Sequence, residues 1–167
     1  MRAVRLAVIA ASVVLLDQLT KAWLVAVFPY GAEREVIPGL FRLVHTRNRG
    51  IVFGLFGGAG PTVQVLLLAA VVAIIVFVLL QLRGSGRDGL AGFGLCLVLG
   101  GAIGNLIDRL FRGEVVDFLD LYLRFRGSEH HWPSFNVADS AISIGALLVI
   151  LAELLSNRGA KRVPGSH

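Results

Sequence analysis

Four long apolar runs dominate the chain: Val4 to Phe28, Pro61 to Leu82, Leu90 to Phe111 and Phe135 to Leu155. Each is 21 to 25 residues long, enough to cross ~30 Å of hydrocarbon at ~1.5 Å per residue. The pattern predicts an α-helical polytopic membrane protein with four transmembrane helices in one domain over residues 1–167. The apolar stretch from Leu6 to Leu16 follows Arg2 and Arg5 as in a signal peptide, yet no small-x-small cleavage site comes after it and the run continues to Phe28, so it is read as a retained helix.

Between these runs lie polar stretches of unequal character. Residues 29–60 hold charged residues among short β-prone pieces such as Glu35-Val36-Ile37 and Phe41-Arg42-Leu43-Val44, with turns at Pro38-Gly39 and Gly57-Gly58. They predict a small β-rich element lying on the bilayer surface. Residues 112–134 predict a second outward loop, whereas Arg83 to Gly89 reads as a short basic link.

Composition supports a membrane location: 56% of residues are hydrophobic, 16% are charged and the mean hydropathy is +0.77. The net charge of +5 is scattered through loops and ends without interleaved stacking aromatics, so no nucleic-acid partner is expected. Arg2, Arg5, Arg83, Arg87, Arg158, Lys161 and Arg162 share one side of a four-span chain, with Asp88 the only acid in those loops and tails. The positive-inside rule then puts both termini in the cytoplasm and the two longer loops outside. The tail from Asn157 is expected to be mobile, and the lone Cys96 to be a small buried hydrophobe.

Against this background the polar residues at the span ends are costly, by roughly 3 kcal/mol for a charged one. Asp17 and Lys21 are spaced i, i+4 and can neutralise each other, or Asp17 can face inward to brace a polar site. Asn105, Asp108 and Arg109 project from one side of the third span, and Asp108 with Arg109 reads as a neutralising neighbour pair. Gly100 and Gly104, with Gly101 beside them, offer a small face for a neighbouring helix. Asn136, Asp139 and Ser140 open the fourth span, where an acid also suits the helix dipole. His130 and His131 lack the spacing of a metal site and read as solvated loop residues.

Two carboxylates converging near one membrane face suggest acid/base chemistry, although spacing alone does not choose between Asp117 and Asp120. A serine peptidase built on Ser140 and Lys21 is disfavoured, because Asp17 one turn away keeps the lysine a poor base. A transporter or scaffold with structural acids is the remaining alternative, but it leaves the clustering at one face unexplained.

Five motifs occur in order: Asp17-Gln18-Leu19-Thr20-Lys21; Asn48-x-Gly50-x-x-Phe53-Gly54; Gly100-Gly101-x-x-Gly104-Asn105-x-x-Asp108-Arg109; Val115-Val116-Asp117-Phe118; and Phe135-Asn136-Val137-Ala138-Asp139-Ser140. Together they resemble the bacterial lipoprotein signal peptidase, signal peptidase II, over nearly the whole chain. The resemblance implies a membrane aspartic endopeptidase that cleaves the signal peptide from diacylglyceryl-modified prolipoproteins just before the lipidated cysteine. It implies Asp117 and Asp139 as the catalytic pair, with Asp17, Asn48, Gly50, Asn105, Asp108, Arg109, Asn136 and Ala138 as substrate-binding or supporting residues. No metal or cofactor is implied. The expected partners are the lipidated precursor and membrane lipids. The expected setting is a monomer in the inner membrane, with its site near the outer face. Ile51-Val52 departs from the small residues the family usually carries there.

Overall fold

The structure, a computed structural model, describes residues 2–50, 60–84 and 89–160. The expected features at Ile51 to Gly58, in the link Ser85 to Asp88 and from Lys161 onward lie outside the described residues. The elements run α1 (Arg2–Val27), β1 (Glu33–Ile37), β2 (Phe41–Asn48), α2 (Pro61–Arg83), α3 (Gly89–Phe111), β3 (Val115–Phe125), β4 (Ser128–His131) and α4 (Val137–Ala160). All four helices are long and apolar enough to cross a membrane. Their ends fall within a few residues of the expected spans, with two differences. Phe135 and Asn136 precede α4 rather than opening it, and the helix continues to Ala160, so Asn157 to Ala160 are helical instead of a loose tail.

α3 is the central helix. Its glycines remove the Cβ atoms that would hold its neighbours away, so the helix backbones approach one another closely. A Cβ on Gly100 would sit 2.7 Å from the Ala10 carbonyl oxygen of α1, and one on Gly101 would sit 2.4 Å from that of Ala138 in α4. Gly94 and Gly145 meet the same way, each facing the other's carbonyl oxygen. The order of these contacts makes α1 parallel and α4 antiparallel to α3, so the start of α1 and the end of α4 lie at one end of the bundle. On the outer faces, Leu19 of α1, Leu66 and Phe77 of α2 and Leu147 of α4 are more than half exposed. Apolar side chains in that position belong against lipid.

The second polar stretch differs from the expected loop. Its residues form β3 and β4, which join β1 and β2 in one antiparallel four-stranded sheet of order β1-β2-β3-β4. β3 pairs with β2 through Asn48↔Val115, Thr46↔Asp117 and Phe41↔Leu121, and turns into β4 at Arg126-Gly127, both at positive φ. The strand was hard to read because Val115 to Phe118 are all buried, which hides the period-2 alternation of a half-exposed strand. Leu24 and Phe28 at the end of α1 pack with Val116 and Phe118, fixing the sheet on the bundle.

Candidate active site

A strand turns successive side chains to opposite faces, so residues three apart point opposite ways. Asp117 and Asp120 of β3 are such a pair. Asp120 faces a charged cluster on the sheet: its carboxylate lies 3.2 Å from Arg42 Nε and 3.0 Å from His131 Nδ1. The His131 ring stacks on Tyr122; this histidine is exposed, as expected, but stands on strand β4 rather than in a loop. Asp117 faces the bundle. Phe135 makes backbone hydrogen bonds with Leu119 in both directions, at 2.8 and 2.9 Å, and that pairing lays Asn136 beside Asp117.

Asn136 then caps the start of α4 and joins the two carboxylates. Its Nδ2 donates to Asp117 Oδ1 at 2.8 Å, and its Oδ1 accepts the Asp139 backbone N–H at 2.9 Å. Asp139 Oδ2 accepts the Asn136 backbone N–H in return, at 3.3 Å. This is a reciprocal helix cap made with Asn and Asp. It explains the position of Asp139 more fully than the helix dipole alone.

Two further amides complete the arrangement. Asn48 Nδ2 lies 3.2 Å from Asp117 Oδ2, and Asn105 Nδ2 lies 2.8 Å from Asp139 Oδ1. Each amide oxygen is occupied elsewhere: Asn48 Oδ1 by the Gly50 N–H at 2.8 Å, and Asn105 Oδ1 by Lys21 Nζ at 3.1 Å. The NH2 groups are thereby directed at the carboxylates. Burial, first, and then the neighbouring charge of Asp139 push the Asp117 carboxyl up from 3.8 to about 7, against the donors Asn48 and Asn136.

The supporting residues divide into two groups. Arg109 donates to the Asn105 and Gly50 carbonyl oxygens, each at 3.1 Å, tying α3 to the end of β2. Asp108 does not pair with it. Adjacent helical side chains diverge, whereas residues four apart meet, and Asp108 bonds Arg112, one turn on. Its other oxygen lies 2.8 Å from Lys21 Nζ. Lys21 also reaches Asp17 at 2.8 Å, and all three side chains are fully buried. Both readings of Asp17 therefore hold, since it neutralises Lys21 and its Oδ1 accepts the Ala138 N–H at 2.9 Å. Gln18 adds a bond to each of Asp17 and Asp108. Its role, and that of Arg112, escaped the sequence reading, although the acid-first spacing of Asp108 and Arg112 was there to find.

Asp117, Asp139, Asn48 and Arg109 line the polar end of one cavity of about 670 Å3. The remaining wall is mostly apolar, with Val71 and Ile74 from α2, Ile142 and Ile144 from α4, and Trp132.

The family model described as signal peptidase (SPase) II matches residues 9–155. The chain belongs to the signal peptidase II family. The lipoprotein signal peptidase of Ralstonia nicotianae is 46% identical over 141 residues, covering 84% of this chain and 79% of its own. That of Paraburkholderia phymatum is 42% identical over 153 residues, covering 92% and 89%. A bacterial membrane enzyme solved in meso at 2.3 Å superposes with a TM-score of 0.75 at 29% identity, over 97% of this chain and 94% of its own. A second, solved at 1.9 Å, gives a TM-score of 0.71 at 31% identity, over 90% and 92%. Of the five signal peptidase II motifs, four fall wholly within the described residues, and all four reach the cluster around the two carboxylates. The remaining one, the second along the chain, contributes Asn48 and Gly50, while its Phe53 and Gly54 lie outside the described residues.

Proposed function

We propose that this signal peptidase II family member is an aspartic endopeptidase, with Asp117 and Asp139 as its catalytic pair. Its substrate is a diacylglyceryl-modified prolipoprotein, cut just before the lipidated cysteine. The observation that carries the reading is the sharing of Asn136 between the two carboxylates, its side-chain NH2 on Asp117 and its backbone N–H on Asp139, at the polar end of an apolar cavity. Two carboxyls held this close do not readily both ionise, so the pair keeps one proton between them. The ionised member takes a proton from water as its oxygen attacks the scissile carbonyl. The protonated member donates to the carbonyl oxygen, and the return transfer delivers a proton to the leaving amine. The apolar wall suits a signal helix and acyl chains arriving sideways from lipid, since moving either into water is costly.

A serine–lysine arrangement fits less well. Lys21 is engaged by Asp17, Asp108 and Asn105, while the Ser140 hydroxyl donates to the Asn136 carbonyl oxygen. A transporter or scaffold is not favoured for a chain of this family. We assign the protein to the bacterial inner membrane as a monomer. Both termini are cytoplasmic and the carboxylate pair lies at the outer face, following the loop charges. Reporter fusions at the tail and near Ser128 should report opposite sides.

The deciding experiment is cleavage of a diacylglyceryl-modified precursor by purified, folded variants in detergent. Asn keeps the size of Asp but cannot shuttle its proton. Asp117→Asn and Asp139→Asn should each abolish nearly all cleavage, and the double variant should be little worse than either. Asp120→Asn, on the opposite face of β3, should retain substantial activity. Near-normal turnover by either single variant of the pair rules the mechanism out.

A further inference from the structure

We infer that Lys21 is a positioning residue for the reaction: its ammonium fixes the orientation of the Asn105 amide and, through it, the carboxylate of Asp139. The inference rests on reading Asp117 and Asp139 as the catalytic pair.

Three asparagine amides point their NH2 groups at the two carboxylates. An amide is nearly symmetric in shape, so what keeps its nitrogen forward is whatever holds its oxygen back. For Asn48 and Asn136 that holder is a backbone N–H, from Gly50 and Asp139 respectively. Asn105 differs. Its oxygen accepts from two side chains, Lys21 Nζ at 3.1 Å and Asn136 Nδ2 at 3.3 Å. Asn136 Nδ2 is also engaged by Asp117 Oδ1 at 2.8 Å, the shorter bond, and by the Val116 carbonyl oxygen. That leaves Lys21 as the dedicated donor.

An ammonium has three protons and no lone pair. Here it has three acceptors: Asp17 Oδ2, Asp108 Oδ2 and Asn105 Oδ1. A flipped Asn105 would turn its NH2 onto a buried cation and its oxygen onto Asp139, losing its bonds to Lys21, Asn136 and Asp139 and setting like poles against one another. Neutralising Asp17 and Asp108 does not by itself require the third contact. Asp108 also has Arg112 as a partner. The lysine therefore does more than balance charge.

Lys21→Met and Lys21→Gln separate the two roles. Both delete the positive charge, and only Gln keeps an N–H, one bond shorter than the lysine, to donate toward Asn105 Oδ1. If charge balance were everything, the two would lose stability and activity together. We expect melting temperatures lowered alike. At a temperature where both are folded, the kcat of Lys21→Met should fall on the order of 10- to 100-fold below that of Lys21→Gln, the rate equivalent of one misdirected charged hydrogen bond. KM for the precursor should agree within about threefold, as for a group acting on the chemical step rather than on binding. Adding Lys21→Met to Asn105→Ala should lower kcat no further, because the relay is already cut.

Equal kcat values for the folded Met and Gln variants overturn the proposal. So does loss of fold in Lys21→Met alone or in both, which assigns the lysine to the fold. Asp117→Asn and Asp139→Asn run alongside keep the two readings apart. If they stay active, the catalytic pair is wrong. If they are inactive while Met and Gln are equivalent, only the role of Lys21 is wrong.

Discussion

Asn136 and Asp139 cap each other at the start of α4: the side-chain oxygen of Asn136 takes the Asp139 N–H at 2.9 Å, and Asp139 Oδ2 takes the Asn136 N–H at 3.3 Å. A device that ordinarily just begins a helix here also aims a carboxylate, because the remaining donor of Asn136 is committed to Asp117. Structure and chemistry meet in one side chain, and a substitution can part them. Serine is a good cap but too short to bridge to Asp117. Asn136→Ser should keep stability within about 1–2 kcal/mol, while precursor cleavage falls about tenfold or more. Equal losses in thermal unfolding and turnover would contradict this division of labour.

A buried carboxyl raised to about 7 also leaves a signature in pH. Between pH 3.8 and about 7 the folded state keeps a proton on Asp117 that an unfolded chain has released. Stability therefore falls as pH rises through that window, and the penalty is fully present above about 7. Asp117→Asn removes the penalty. It should be more stable than the parent at pH 8 by on the order of 2–4 kcal/mol, with the difference vanishing near pH 4. For the parent, cleavage should decline above about pH 7 as the shared proton is lost. Thermal unfolding of both proteins across pH, with initial rates for the parent, tests both statements.

Close approach of α3 and α4 sets where α4, and with it Asp139, begins. A Cβ on Gly101 would meet the Ala138 carbonyl oxygen at 2.4 Å, and backbone cannot rotate out of the way. Gly101→Ala should cost about 1–3 kcal/mol and lower activity, since Ala138 sits beside Asp139. Gly60, which has nothing within 4 Å of its Cβ position, serves as the control. Gly60→Ala should leave melting temperature and turnover close to the parent.

Asp108 has no exposed surface and accepts from Lys21, Arg112, Gln18 and the Val116 N–H. Removing it leaves buried donors without their acceptor, which typically costs about 3 kcal/mol. Asp108→Ala should therefore lower yield, melting temperature and cleavage together. Abolished turnover with an unchanged melting temperature would move Asp108 from the scaffold into the chemistry.

Sequence alone determined the four spans, because each must present about 20 apolar residues to hydrocarbon and that requirement is local. It also determined that the polar residues at the span ends form one group, since the ordered motifs carry them together. The tertiary structure decided which atom meets which. It turned Asp117 inward and Asp120 toward Arg42, a choice fixed by strand alternation once the register with β2 was set. It gave Asp108 to Lys21 and Arg112 instead of to its neighbour Arg109, because helix geometry sets adjacent side chains apart. It made the second polar stretch a pair of strands, the first of which opens with four buried residues that hide its alternation. Hydrophobic length is written residue by residue along the chain, whereas the partner of a buried polar group is chosen by elements brought together from Lys21 to Asp139, and only folding brings them there.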